Sequence, residues 1–371
     1  MLFPPLLVLS PTNIPELYKR VGDNTNTGGS PCKLCCEYKQ LAILTLIFKL
    51  NNSIMTTANV TPSPWPELAF EYLKNTLDTV QLWAQIVGKI RLVKTPWINH
   101  SWHVTLYVYS RGLTTGNIPY EGGSFQIDMD FVDHQLLITA SDGKSQSIAL
   151  KPRSVADFYK ELFEKLGVMG IEANIYPKPN EIDPAIPFVE DEQHKTYDAV
   201  QMNLYWQALV RINAVFLRFR SEFTGKCSPV HLFWGAFDLV VTRFSGREAP
   251  LHPGGAPNMP VKVMQEAYSH EVSSAGFWGG GETFPHPAFY SYCYPTPADF
   301  GSQVVEPNEA FYSNEMGEYF LLYEVVQRSA DPEGTLLKFL RSTYKAAAKT
   351  GKWDDKLCCD LTGFESKGVA C

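Results

Sequence analysis

Long apolar runs are missing from this 371-residue chain. Its two greasy N-terminal stretches, LLVL near the start and LAILTLIF at 41–48, are each too short to cross a bilayer. No basic segment precedes the first, which argues against a secretory signal. Basic blocks are missing as well. The net charge is −7, and the densest local group, Lys89, Arg91 and Lys94, is too small to make the basic face that phosphate backbones require. Neither nucleic acid nor membrane is expected as a partner. Cysteine is scarce where a secreted scaffold would need it. Of eight, Cys32, Cys35 and Cys36 lie near one end and Cys358, Cys359 and Cys371 near the other, leaving Cys227 and Cys293 in the body. That placement predicts a reduced, cytoplasmic protein without disulfide staples.

Several catalytic signatures are lacking too. Gly279-Gly280-Gly281 has neither the lysine of a phosphate loop nor dinucleotide-binding spacing. His270-Glu271 leads to Ser274 where a zinc protease needs histidine, and Ser273 and Ser274 sit in no Gly-x-Ser-x-Gly elbow. Cys32 and Cys35 have no second pair at zinc-site spacing. His103-Val104-Thr105 fits half of a two-histidine phosphoesterase signature, but the corresponding place in the second half reads His231-Leu232-Phe233.

What is present describes a globular protein: 45% hydrophobic, 19% charged and 13% aromatic residues. All eight histidines and all eight tryptophans lie between Trp65 and Trp353, and Met55 opens a polar stretch that reads like a start. Residues 1–54 are therefore expected to be an extension outside the fold. Apolar residues spaced by threes and fours predict an amphipathic helix over 67–92. Strands are expected at 103–111, 124–132, 135–141 and 145–150, separated by turn signals. Ser154 and Asp157 open a helix that stops at Gly167, and IEANIY (171–176) reads as a further strand.

The four prolines of 177–190 mark a linker. Beyond it the order recurs, with a helix over about 198–222, strands at 230–244, 268–278, 288–294 and 319–326, and a last helix opened by Asp331-Pro332. The predicted fold is α+β, two similar helix–four-stranded antiparallel sheet–helix halves packed together, at 65–176 and 191–353, with a tail from 354 to 371.

Charge inside the predicted strands points to function, because an ion buried without a partner costs several kcal/mol. The run 228–247 carries His231, Asp238, Arg243 and Arg247. With side chains alternating, Asp238 faces opposite to His231 and Arg243 unless a bend at Gly235 intervenes. An ion pair of Asp238 with Arg243 or Arg247 is one use of these charges. A pocket wall is the other, with Arg243 on an anionic group and His231 exchanging a proton. His100 and His103, three apart, could hold a divalent metal if Asp130, Asp133 or His134 supplied a third ligand. Strand aromatics, Trp234 and Trp278 among them, suit the wall of a small-molecule pocket.

The strings TPWINHSWHV, DFVDH, GKCSPVHLFWGAFDLVVTRFSGR, HPGGAPNMP and AYSHEVSSAGFW resemble the domain-of-unknown-function 5996 family (DUF5996). The resemblance covers Trp65 to Trp353, implies one unit with extensions at both ends, and transfers no activity. On the residues themselves, the expected function is an enzyme acting on a small polar or anionic molecule through histidine acid/base chemistry, with a divalent metal as an optional cofactor. Its expected catalytic residues are His103, His231, His270 and Asp238. Arg111, Arg243, Arg247, Lys89, Trp234 and Trp278 are expected to hold substrate, and His100 with His103 to hold the metal. The rivals are a non-catalytic module with an aromatic and arginine-lined pocket, and a purely structural use in which the charges lock the halves together.

Overall fold

The computed structural model describes residues 65–358. The expected extension over 1–54, the Cys32–Cys35 pair and the tail from 359 onward lie outside the described residues. The threes-and-fours spacing builds α1 (Phe70–Lys94), in which Leu73, Val80, Trp83, Ile86 and Ile90 are buried. α2 (Val155–Val168) begins where Ser154 Oγ accepts the Asp157 N–H at 3.1 Å. Asp198 caps α3 (Ala199–Ser221) in the same way, and Asp331 caps α6 (Pro332–Thr350). α4 (Val261–Ala267) and α5 (Tyr323–Arg328) are short. None of the described helices is long and apolar enough to cross a membrane.

The fold is α+β, with two antiparallel sheets of six strands each. The first holds β1 (Tyr107–Tyr109), β2 (Gly112–Thr114), β3 (Ile118–Tyr120), β4 (Gly123–Asp130), β5 (Gln135–Ala140) and β6 (Ser145–Ala149), in the order β1-β2-β4-β5-β6 with β3 also on β4. The second holds β7 (His231–Phe233), β8 (Asp238–Glu248), β9 (His270–Trp278), β10 (Ala288–Tyr294), β11 (Phe311–Ser313) and β12 (Glu318–Leu322), in the order β11-β12-β10-β9-β8-β7. The expected four strands per sheet become six because β2, β3, β7 and β11 are three-residue segments, too short to show an alternation.

Other expectations shift for physical reasons. IEANIY forms no strand; Ile171 and Ile175 are buried four apart, without a ladder partner. The run at 319–326 leaves the sheet after Leu322 and turns into α5. The run at 230–244 divides into β7 and β8 at a turn over 234–237, where Phe237 takes φ 57°. Both sheets belong to one compact unit and share a continuous apolar core. Leu106 and Leu232 exchange backbone hydrogen bonds at 2.9 and 2.8 Å, joining the end of the first sheet to β7.

Helices α3 and α6 cover one face of the second sheet, over Leu239, Val241, Phe277 and Phe289. The opposite face carries a separate apolar group, Val240, Ala288, Tyr290 and Phe320. Period-two alternation therefore splits the sheet into a core side and a second side, and the site described below occupies the second.

The turn over 234–237 is seated on α1. Trp234 Nε1 donates to the Val104 carbonyl at 2.8 Å, and its ring lies against Gly88, where a Cβ would stand 2.0 Å from Trp234 Cδ1. Glycine-to-alanine inside a helix ordinarily stabilises by about 1 kcal/mol. Here the clash reverses the sign, and we predict that Gly88→Ala lowers stability by roughly 1–3 kcal/mol in a urea titration. An unchanged or raised midpoint would show that Trp234 does not seat there.

Candidate functional site

The second side of the second sheet is roofed by three pieces of chain: the 95–105 segment, α4, and the proline-rich 177–190 stretch. Between sheet and roof lies a hollow of about 740 Å³. A second hollow of about 470 Å³ lies beside it, and Ala236, Asp238, Tyr268, Tyr290 and Tyr292 border both. β8 contributes Asp238, Val240, Thr242 and Phe244 to the larger hollow, four residues two apart, as strand geometry requires.

Four carboxyl groups border these spaces: Glu266, whose Oε1 accepts the His100 N–H, and Asp238, Glu181 and Glu318. Asp238, the first residue of β8, lies deep in the fold yet keeps accessible surface through the hollow. Tyr290 donates its hydroxyl to Asp238 Oδ2, while burial pushes the Asp238 carboxyl up to about 6. Glu181, at φ 59°, projects from the proline-rich stretch against Gly235, where a Cβ would stand 2.0 Å from Glu181 Oε1. Burial, and then the nearby Asp238 charge, push Glu181 up to about 7. Glu318 borders the smaller hollow, and the same two causes in the same order push it up to about 7. Neither glutamate side chain has a hydrogen-bond or ion-pair partner among the described residues.

Two lysines supply the opposite charge, Lys262 from an exposed position and Lys89 from a buried one. Lys89 is 3% exposed and donates from Nζ to Asn180 Oδ1 at 2.5 Å. The ammonium lies 5.6 Å from the ring centres of both Tyr176 and Trp234. Burial lowers its pKa to about 8, and no carboxylate among the described residues pairs with it. Gln85, fully buried, holds the proline-rich stretch in place: its Nε2 donates to Asn180 O at 2.9 Å, and its Oε1 accepts the Asn180 N–H at 2.8 Å. The stretch expected to be a linker is thus a wall of the hollow.

The expected site residues separate into two groups. Lys89, His100, His103, Trp234 and Asp238 border the larger hollow, and Trp278 with Asp238 borders the smaller one. The remaining residues, His231, His270, Arg111, Arg243 and Arg247, border neither. Arg111 pairs with Asp130 at 2.5 Å and Asp133 at 2.6 Å. Arg247 pairs with Glu271 at 2.6 Å and also reaches the Gly351 and Lys352 carbonyls. Arg243 shares the core side with Leu239 and Val241. Its guanidinium carbon is 3.5 Å from the Phe219 ring centre and 4.4 Å from that of Tyr344, and Nη2 donates to the Phe219 carbonyl. No ion pair joins Asp238 to Arg243 or Arg247, because strand alternation puts Asp238 and Arg243 on opposite faces.

The histidines are mostly occupied. His100 receives Lys226 Nζ at Nε2 (2.5 Å), stands 3.0 Å from the Ala267 carbonyl at Nδ1, and donates its backbone N–H to Glu266 at 2.7 Å. It clasps the 95–105 segment to α4. His103 uses Nδ1 on the Ile98 backbone at 3.2 Å. Burial lowers the pKa of both. His231 is wholly enclosed, neither ring nitrogen has a partner among the described residues, and burial lowers it to about 3, so it is neutral at physiological pH. His270 meets Ser269 Oγ at 3.1 Å and the His100 ring at 6.0 Å between centres. Among the described residues, no three His, Cys, Asp or Glu side chains are placed to hold a metal ion together. The His100–His103 pair therefore lacks a third ligand: Asp130 and Asp133 are held by Arg111, and His134 by Tyr197 at 2.8 Å.

Sequence reading missed Glu181, Glu318 and Tyr268, and had Tyr290 and Tyr292 only among the strand aromatics of a pocket wall. Tyr290 and Tyr292, two apart, carried a usable signal, since both share the face of Asp238 once β8 to β10 are registered. Glu181 carried none, because nothing local shows a proline-rich segment folding back over a sheet.

Residues 65–359 match the model of a family described as a family of unknown function (DUF5996). No curated protein and no solved structure matches the chain.

The raised Glu181 carboxyl has a stability consequence. A folded-state pKa near 7, against an ordinary 4.5, contributes stability below about pH 4.5 that is lost as pH rises through 7. We predict that Glu181→Gln, which stays neutral, matches the parent at pH 4.5 and exceeds it by roughly 1–3 kcal/mol at pH 8, the hollow's solvent screening holding the gain down. Chemical denaturation at the two pH values checks this. A constant difference between the proteins would place the carboxyl in ordinary solvent.

Proposed function

Because the chain belongs to DUF5996, a family of unknown function, its activity has to be read from the site. We propose that the larger hollow binds a small organic molecule with an apolar body and a neutral polar or basic group, and that Asp238 and Glu181 do acid/base work on it. One observation carries this reading: two carboxyls titrating near 6 and 7 open onto the same aromatic-walled hollow, and no described arginine borders it. Groups that change protonation near working pH suit general acid/base catalysis. We put this in place of the histidine chemistry expected earlier because His231 is sealed away, His270 borders neither hollow, and His103 has Nδ1 engaged by the Ile98 backbone. It also changes the expected charge of the ligand. Anion binding rested on Arg111, Arg243 and Arg247, each of which has its own partners elsewhere, and on Lys89, which does border the hollow.

Binding without turnover is the second reading. It is supported by the pairing of other hydroxyls on the hollow with one another, Tyr268 with Tyr292 at 2.7 Å and Thr242 with Ser274 at 2.8 Å. The net charge of −7 still supports partners other than nucleic acid.

A thermal-shift panel tests the charge of the ligand. We predict that apolar primary amines raise the melting temperature while matched carboxylates and phosphate esters do not. Ligand at a hundred times its Kd should add about 2.7 kcal/mol. A basic ligand favours ionised carboxylates, so affinity should climb as pH rises from 5.5 to 7.5, and Asp238→Asn should abolish most of the shift. Stabilisation by the anions alone would refute the reading.

A further inference from the structure

The acids are only half of the charge around the larger hollow. Lys89 borders the same space, is 97% enclosed, and has one hydrogen bond, to an amide oxygen, for three donor positions. A buried ammonium held by a neutral amide alone is a costly arrangement, and so is a carboxylate such as Glu181 with no partner at all. These two opposite charges do not neutralise each other, since no ion pair joins them. They belong to different anchors. Lys89 reaches in from α1, between the Tyr176 and Trp234 rings. Glu181 lies against Gly235 within the 234–237 turn, and Asp238 follows that turn at the start of β8. Aromatic and aliphatic side chains, among them Phe233, Phe244 and Val240, line the space as well.

We infer that the ligand is a zwitterion of the amino-acid type. Its carboxylate meets Lys89, its ammonium meets Asp238 and Glu181, and an apolar or aromatic side chain fills the remaining space. This rests on the reading of the hollow as a small-molecule site and narrows it to one chemical class. Such a ligand satisfies both sets of unpaired charges at once while remaining neutral overall, which neither an amine nor an acid can do. Charge-assisted hydrogen bonds at each end supply selectivity over analogues lacking one group, because the missing group leaves a desolvated ion behind.

Three matched probes separate the possibilities on the full-length protein: phenylalanine, phenethylamine, which lacks the carboxylate, and 3-phenylpropionate, which lacks the ammonium. Calorimetric titration at pH 7.5 should show phenylalanine binding at least tenfold more tightly than either analogue. Lys89→Met should bring phenylalanine down to the level of phenethylamine and leave phenethylamine unchanged, whereas Lys89→Arg should keep part of the preference. Equal binding of phenylalanine and phenethylamine by the parent protein would overturn the zwitterion while leaving the amine-binding hollow intact. Tighter binding of 3-phenylpropionate, or no binding of any probe, would overturn the zwitterion together with the charge reading beneath it. The parent protein alone decides this, whether or not the variants fold.

Discussion

Strand alternation in the second sheet is the constraint on which everything else here depends. β8 to β10 each present one side to α3 or α6 and the other to the larger hollow, and β12 borders the smaller one, so a displacement of one residue moves a side chain from core to cavity. Leu239 and Val241 face the helices with Arg243 in their row. Asp238, Val240, Thr242 and Phe244 face the hollow. Tyr290 and Tyr292 follow the same rule on β10, and Glu318 and Phe320 on β12. The chemistry of the site is thus chosen by the parity of position.

That sorting treats the two signs of charge differently. Arginine tolerates the core side because its planar, delocalised ion packs on aromatic rings and donates to a carbonyl, as Arg243 does with Phe219 and Tyr344. A carboxylate has no comparable contact with ring faces. Asp238, Glu181 and Glu318 instead keep solvent-accessible surface on the hollows, and their pKa values rise towards neutrality. The resulting cavity carries Asp238 on its floor, Glu181 on its roof and the buried Lys89 reaching in from α1.

The roof is as important as the floor. Gln85 bonds both ways to the backbone of Asn180, and Asn180 in turn takes the Lys89 ammonium, so α1 fixes the proline-rich stretch and its own lysine through adjoining contacts. His100 does the equivalent work on the other rim, joining the 95–105 segment to α4. Polar residues that look catalytic in one dimension are here fasteners, and the fasteners determine which groups stay free. His103 retains a place on the hollow with Nδ1 engaged by Ile98.

Local signals were enough for much of the architecture. Helix spacing, the Ser154 and Asp331 caps and the alternating strands are consequences of nearest-neighbour chemistry, and the α+β class with two antiparallel sheets followed from them. Asp238, Lys89 and Trp234, which line the larger hollow, could be picked out because charge or indole beside a greasy run is conspicuous in one dimension. Which partner each charge would meet was set only by tertiary structure. Arg111 and Arg247 found carboxylates 19 and 24 residues away, and Glu181 came to Asp238 from a segment without periodicity. The sequence alone determined the elements and their buried faces, because those depend on spacing along the chain. The folded chain decided the sign and shape of the cavity, because long-range pairing determines which ions are neutralised and which remain facing it.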